Sequence, residues 1–271
     1  MLISVNLPTF CIKDHFGSVN SNERILRLYR SHQPNMDDNC SWDHYVFCPV
    51  CESKFREFEP FGLMKRDNAR CPGCGSLERH RLLWKYLNDK TTFFNKDIKI
   101  RLLHFAPEKC FYDRFSVNKN IDYVPCDIYP QAYAYQGVKE IIKVDITHLP
   151  FEQNNFDVIL CIHVLEHIPD DWKALSELYR VMKEKGWGIF QAPLDDKRKV
   201  TYEDFTITKP KDREKAFGQH NHVRKYGQDY KDRLKNAGFT VTADDYIKSF
   251  SNEELFRYGL QPDEIIYFCR K

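Results

Sequence analysis

The chain has 271 residues, long enough for one full α/β domain plus a small accessory module. A formal net charge of +2 is close to balance and gives no reason to expect a long nucleic acid as partner; high aromatic and ordinary apolar content mark a globular protein. No apolar stretch is long enough to span a bilayer, and the N-terminal MLISVNLPTFCIKDHFGS lacks the basic start and apolar run of a signal peptide, so no membrane partner and a cytoplasmic location are expected.

Residues 1–45 read as an N-terminal extension with few signals. Asn22 to His32 is a candidate short helix, with Ile25, Leu26, Leu28 and Tyr29 on one side and Ser21 as its cap; Pro34 to Asn39 follows as a turn-rich linker.

Two C-x-x-C pairs come next, Cys48-Pro49-Val50-Cys51 and Cys71-Pro72-Gly73-Cys74, separated by nineteen residues. Two residues between cysteines let both thiolates of a knuckle reach one metal, and two knuckles on hairpins supply a tetrahedral shell, as in zinc ribbons. Residues 46–90 are therefore predicted to form a zinc ribbon with a connecting helix, with Cys48, Cys51, Cys71 and Cys74 holding one structural Zn²⁺ per chain. Neither pair sits in a thioredoxin-like strand–helix context. The other six cysteines, Cys11, Cys40, Cys110, Cys126, Cys161 and Cys269, are scattered. That usage suits bound metal in a reducing compartment better than a disulfide framework. A four-cysteine shell is closed, so the metal is expected to hold the module together rather than do chemistry.

Ser76 is the expected cap of a helix running to about Leu87. Arg70, Arg79, His80 and Arg81 make this junction basic, either as a solvated face or as the rim of a cleft that binds an anionic group.

From Ile98 the chain alternates in the α/β manner. Strands are predicted at 99–105, 121–126, 140–145, 156–163, 187–192, 239–247 and 263–269. Helices are predicted near 108–117, 170–185, 226–237 and 251–258. Trp172, Leu175, Tyr179 and Met182 recur at helical spacing and form a sheet-packing stripe, with Gly186 as the helix stop.

The segment from Lys143 to Pro193 is the most informative. A strand ends in Asp145, the turn Leu149-Pro150-Phe151 follows, and Phe156 to Ile162 runs into Val164-Leu165-Glu166-His167. After a helix, Gly188 to Ala192 stops at Pro193. This order resembles the distal half of a class I S-adenosylmethionine-dependent methyltransferase. The loop His104-Phe105-Ala106-Pro107-Glu108 departs from the glycine-rich cofactor loop usual in that class. A Phe-Ala-Pro-Glu loop after a Cys₄ ribbon instead resembles a bacterial subgroup, methyltransferase type 11-like, over roughly residues 46 to 271.

The resemblance implies a Rossmann-like seven-stranded sheet over residues 97–271 with its last strand antiparallel. It also implies S-adenosyl-L-methionine as cofactor, bound at the carboxyl ends of the strands. Candidate cofactor residues are His104, Ala106, Glu108, Asp127, Asp145, Ile146 and His163. Ala106 is small enough for close backbone approach, and Glu108 is a carboxylate for the cofactor's cationic amino group. Asp127 is placed for the ribose hydroxyls, and Asp145 with the Ile146 N–H for the adenine edge.

His163, at the end of the fourth strand, is the first candidate base for methyl transfer. Glu166 and His167 lie one helical turn on, where a divalent ion is conceivable but positioning of substrate or loop is the commoner use. An insertion at about 194–226 is expected to form a lid over the acceptor, with His220 and His222 as further catalytic candidates. Substrate-binding candidates are His167, Gln219, His220, His222, Arg224 and Tyr226. The favoured activity is methyl transfer to a small polar acceptor, at a hydroxyl of a sugar or acidic metabolite. RNA methylation with the ribbon gripping substrate, and a catalytically inactive cofactor-fold protein, are the alternatives.

Overall fold

Val46–Cys48 (β1) and Ser53–Phe55 (β2) form an antiparallel hairpin, and Glu59–Phe61 (β3) and Arg66–Arg70 (β4) form a second. The first hairpin carries Cys48 and Cys51 at its turn, and the second leads into Cys71 and Cys74. The computed structural model describes residues 45–62 and 65–271. The expected helix at 22–32, the linker at 34–39, Cys11 and Cys40 lie outside the described residues.

Helix α1 runs from Glu78 to Lys90. Its N-cap is Leu77 rather than Ser76. The Ser76 hydroxyl lies 3.2 Å from the sulfurs of both Cys48 and Cys74, so the residue expected as a cap belongs to the cysteine cluster.

The main sheet is built from Ile100–Phe105 (β5), Ile121–Asp127 (β6), Ile142–Lys143 (β7), Phe156–Ile162 (β8), Met182–Gln191 (β9), Thr240–Asp244 (β12) and Ile266–Arg270 (β13). Its order is β12-β13-β9-β8-β5-β6-β7. Neighbouring strands from β7 to β9 pair in parallel, while β13 runs antiparallel to both β9 and β12. This is the doubly wound α/β sheet with an antiparallel final strand expected from the sequence.

Lys109–Phe115 (α2), Asp171–Val181 (α3) and Tyr230–Asn236 (α5) connect these strands, and Asn252–Tyr258 (α6) precedes β13. Several bounds differ from the sequence expectation. Strand β7 keeps only two residues of 140–145. Helix α3 stops at Val181 because Met182 is already extended, so β9 begins five residues early and Gly186 lies inside it. A Cβ on Gly186 would come within 2.8 Å of Met182 Cγ, so this glycine serves close strand packing rather than helix termination. Helix α5 starts at Tyr230, four residues late, because Tyr226 pairs as a bridge with Leu194.

Two apolar layers cover the sheet. One joins α2 and α1 to β5, β8 and β13, and includes Val46, Val50 and Phe58 of the hairpins. Within it Trp84 stacks on Phe111 and Phe115 at 6.2 and 6.0 Å between ring centroids. The other layer packs α3 and α5 on the opposite face through Ala174, Leu175, Leu178, Tyr230 and Leu234. Each fully buried leucine here is worth about 1.5–3 kcal/mol. The hairpins thus share a core with the sheet. Arg81, fully buried, stitches them together by donating to the carbonyls of Ser76, Tyr258 and Gly259.

The segment after β9 is a folded insertion. Tyr202–Glu203 (β10) pairs with Arg224–Lys225 (β11), and Pro210–Phe217 (α4) lies between them. No helix among the described residues is long and apolar enough to cross a membrane.

Candidate functional site

A cleft opens at the carboxyl ends of β5, β6 and the turn after β7, lined by Ala106, Asp127, Asp145, Ile146, Val164 and Ile168 among others. Parallel strands point their carboxyl ends to one edge, and connections that diverge to opposite faces leave a crevice there. Ala106 sits where β5 ends and holds a left-handed backbone, φ 48°. A residue with a Cβ is uncommon in that region. Asp127 ends β6; one oxygen accepts from the Tyr129 N–H at 2.7 Å and the other from the Tyr133 hydroxyl at 2.6 Å. Asp145 accepts from the Thr147 N–H and hydroxyl at 2.8 and 2.7 Å, both through Oδ1, and is exposed. Its Oδ2 has no hydrogen-bond partner among the described residues.

Behind this cleft lies a buried relay. His104 Nε2 is 3.1 Å from Glu108 Oε2, and its Nδ1 is 2.9 Å from the Tyr123 hydroxyl. His80 Nδ1 accepts from the Leu77 N–H at 3.1 Å, which puts the ring proton on Nε2, at ion-pair distance (3.4 Å) from Glu108 Oε1. Burial alone would raise the Glu108 carboxyl, but the two imidazoles outweigh it and hold the group well below the usual carboxylate range. His104 is fully buried beneath the loop, where its ring supports Glu108 rather than facing the cleft. That corrects its expected role as a direct contact.

His163 follows β8, also with left-handed backbone, φ 54°. Its Nδ1 lies 3.4 Å from Glu166 Oε1. The 3₁₀ turn Leu165–His167 carries Glu166 inward, where the residue is 1% exposed and neither carboxylate oxygen has a hydrogen-bond partner among the described residues. His222, from the insertion, packs edge-on against His167 with ring centroids 4.7 Å apart. Burial first, and the neighbouring His167 second, push the His222 imidazole below its ordinary value. The structure therefore gathers His163, Glu166, His167 and His222, while Gln219 and His220 stand exposed on the insertion.

Arg224 and Tyr226 face the protein interior rather than a substrate. Arg224 is 1% exposed and donates to Glu203, to the carbonyls of Leu165 and Pro169, and to the Ile168 carbonyl. Tyr226 is fully buried and donates to Asp171 at 2.6 Å. Arg233 completes the network by pairing with Asp171 and Glu203. Both residues anchor the insertion to the turn after β8, which corrects their expected role in substrate binding. Burial opposes ionisation of Glu203, but its hydrogen bonds to Arg233 and Arg224 win and keep it low.

The four cysteines of the hairpins converge. Sulfur separations are 3.6 Å for Cys48–Cys74 and 3.7 Å for Cys51–Cys71, close to the edge of about 3.8 Å of a tetrahedron with metal–sulfur bonds of about 2.3 Å. Each second cysteine is followed by a left-handed residue, Glu52 (φ 57°) and Gly75 (φ 71°), that closes the knuckle turn. The eight described cysteines are all free thiols. This donor set fits a closed tetrahedral ion.

Two further side chains lie near His163: Arg79, one of the basic residues expected either on a solvated face or at the rim of a cleft, and Glu264, which the sequence did not single out. Arg79, on α1, has a buried Nε with no hydrogen-bond partner among the described residues. Glu264, just before β13, is raised by burial, which the neighbouring His163 and Arg79 oppose. Strand topology carried the missing signal: an antiparallel last strand starts where its neighbours end, so residues preceding it arrive at the site.

Residues 109–190 match a family model described as a methyltransferase domain. A sterol 24-C-methyltransferase of Schizosaccharomyces pombe is 30% identical over 121 residues, which are 42% of this chain and 30% of that protein. An uncharacterized protein of Methanocaldococcus jannaschii is 53% identical over 45 residues, 17% of this chain and 20% of that one. The chain thus spans under a third of the length of these curated relatives. Among solved structures, an S-adenosylmethionine-dependent methyltransferase from Mesorhizobium loti is similar with a TM-score of 0.45 and 15% identity, over 69% of this chain and 97% of that one. A Burkholderia thailandensis 1,6-didemethyltoxoflavin-N1-methyltransferase is similar at 0.42 and 11%, over 71% and 86%. The sheet order is that of the α/β methyltransferase fold, and residues 109–190 within it match the methyltransferase-domain model.

Proposed function

We propose that the protein transfers a methyl group from S-adenosylmethionine to a small polar acceptor, at a hydroxyl of a sugar or other acidic, hydroxylated metabolite. The observation that carries this reading is the convergence of Ala106, Asp127 and Asp145 on one cleft, with His163 one strand away. The residues present fit the cofactor. Ala106 turns its backbone to let a ligand approach, and a carboxylate has about four acceptor positions, so Asp127 keeps capacity for ribose hydroxyls beside its two tyrosine contacts. The free Oδ2 of Asp145 and the Ile146 N–H suit an adenine edge. Glu108, held ionised by His80 and His104, suits the cationic amino group.

The cofactor supplies a methyl already activated by its sulfonium, so the protein's task is alignment, worth up to about 7–11 kcal/mol. His163 accepts the acceptor's proton, and Glu166 orients its ring. Arg79, whose Nε has no hydrogen-bond partner among the described residues, gives the mouth a place for an acidic acceptor. The four-cysteine shell holds a structural Zn²⁺, which fixes the hairpins against α1.

A rate measurement with labelled cofactor tests the assignment. His163→Ala should lower the methylation rate by about 10²–10⁴-fold while cofactor affinity stays nearly unchanged. Arg79→Ala should raise the acceptor's KM, because it removes binding common to ground and transition states. Full activity in His163→Ala, with loss of turnover in His220→Ala, would move the base into the insertion.

A further inference from the structure

We propose that Glu166, His167 and His222 form a divalent transition-metal site, separate from the four-cysteine shell, whose open coordination positions take an oxygen of the acceptor. One ligand atom from each of the three lies within 4.8 Å of the others. The acceptor clause rests on the methyltransferase reading; the metal clause does not.

Glu166 is the starting point. Its carboxylate is buried, and neither oxygen makes a hydrogen bond among the described residues. A buried carboxylate whose charge no hydrogen bond offsets is strongly unfavourable. His163 Nδ1 approaches one oxygen only at 3.4 Å, which leaves most of its acceptor capacity unused. A cation in this position supplies what the protein does not.

The two histidines are prepared in the manner of metal ligands. His167 Nδ1 lies 3.3 Å from the Asn221 carbonyl, and His222 Nδ1 lies 3.3 Å from the Phe217 carbonyl. A carbonyl oxygen only accepts, so each Nδ1 carries its ring proton. Each Nε2 is left with its lone pair. Metal-bound imidazoles commonly fix their tautomer through such a bond to a backbone carbonyl.

The scaffold holds these groups in register across fifty-odd residues of sequence. Val223 N–H donates to the Glu166 carbonyl at 2.9 Å, and buried Arg224 grips the Leu165 and Pro169 carbonyls at 2.9 and 2.8 Å. The network that removes Arg224 from substrate binding thus locks His222 beside Glu166.

Two imidazoles and one carboxylate form a nitrogen–oxygen donor set. It suits Zn²⁺, Mn²⁺, Co²⁺ or Fe²⁺ rather than Ca²⁺ or Mg²⁺, which prefer oxygen, or Cu⁺, which prefers sulfur. Three protein ligands leave at least one position open, as catalytic sites do and four-cysteine sites do not. His167, only half-buried, opens the path of entry.

Titration of Co²⁺ into the full chain tests this. The protein is first dialysed against a weak chelator that leaves the cysteine-bound ion in place. Folded wild-type protein should take up a further equivalent of Co²⁺, with visible bands of nitrogen–oxygen ligation and no added sulfur-to-metal charge transfer. Glu166→Gln and His222→Ala should weaken that affinity by more than the roughly 10–100-fold that losing an outer-shell partner costs. Both sites are buried, so His167→Ala, at a half-exposed position, gives a variant whose fold is at less risk; circular dichroism melts check all three. Absence of a further equivalent in folded wild-type protein overturns the proposal, as does unchanged affinity in folded His167→Ala, which would leave Glu166 simply as the partner of His163. Co²⁺ uptake lost in these variants, but without methyl transfer from S-adenosylmethionine, would uphold the metal site and end the methyltransferase reading.

Discussion

Ala106 and His163 hold the same left-handed backbone, φ 48° and 54°, at the carboxyl ends of the adjacent parallel strands β5 and β8. Such positions cost of order 1–3 kcal/mol each and persist where the surrounding structure dictates them. Ala106→Gly relieves the steric cost but adds unfolded-state entropy, so stability should stay within about 1 kcal/mol of wild type. Cofactor binding should survive. Ala106→Val places a β-branched residue in the same conformation and should lose both, read by calorimetry and thermal melts. Equal tolerance of glycine and valine would show that the turn is not constrained.

Glu177 and Arg180 staple the turn that follows Asp145. Glu177 accepts from the Leu149 N–H at 2.8 Å, and Arg180 donates to Glu177 and to the Leu149 and Phe151 carbonyls. The Arg180 hydrogen bond, against the opposing effect of burial, lowers the Glu177 carboxyl from 4.5 to about 2. A folded-state value below the unfolded one gives stability that is fully present above pH 4.5 and lost as pH falls toward 2. Melting temperature should therefore drop across that window, and Glu177→Gln should flatten the drop. An identical acid limb in the variant would contradict the staple.

Arg224 sits among Asp171, Glu203 and Arg233 with no exposed guanidinium surface. Removing one partner of a buried ionic network costs about 3–5 kcal/mol, because the remaining charges lose compensation. Arg224→Met should lower the melting temperature by roughly 10 °C or more. A substrate-binding arginine would instead raise KM with the melting temperature unchanged, and that result would restore the expected role.

The contrast between these residues shows what the sequence could and could not reveal. Strand ends at Ala106, Asp127, Asp145 and His163 were legible because parallel topology sends every carboxyl end to one edge, and apolar runs mark where strands stop. Arg224 and Tyr226 looked like lid chemistry because a polar side chain in a charged insertion reads the same whether it faces solvent or a buried partner. Only the pairing of Arg224 with Glu203 and Asp171, 21 and 53 positions away by residue number, decides it. His104 adjoins the loop in sequence, yet β5 is buried on both faces of the sheet, so its ring lies in the core. The helix stop at Gly186 failed for a related reason: a glycine demanded by strand packing carries the same local signal as a cap.

Cys71→Ser removes one sulfur from a shell whose hairpins share a core with α1. Apparent binding free energies of structural zinc run to about 10–16 kcal/mol in small zinc-finger peptides. The variant should lose a tightly held Zn²⁺, measured by metal analysis, and melt well below wild type. Stoichiometric disulfides among Cys48, Cys51, Cys71 and Cys74 in protein purified without metal would end this account of the ribbon.

The most direct measurement is calorimetric titration of S-adenosylmethionine into wild-type protein and Asp145→Ala. Asp145 is exposed and its contacts are local, so the substitution should leave the fold intact. Losing the partner of a desolvated polar group costs about 1–3 kcal/mol, or roughly five- to a hundred-fold in affinity. The account predicts saturable one-site binding to wild type, weakened by that factor in Asp145→Ala. No binding to folded wild-type protein, or equal affinity in the variant, would contradict it.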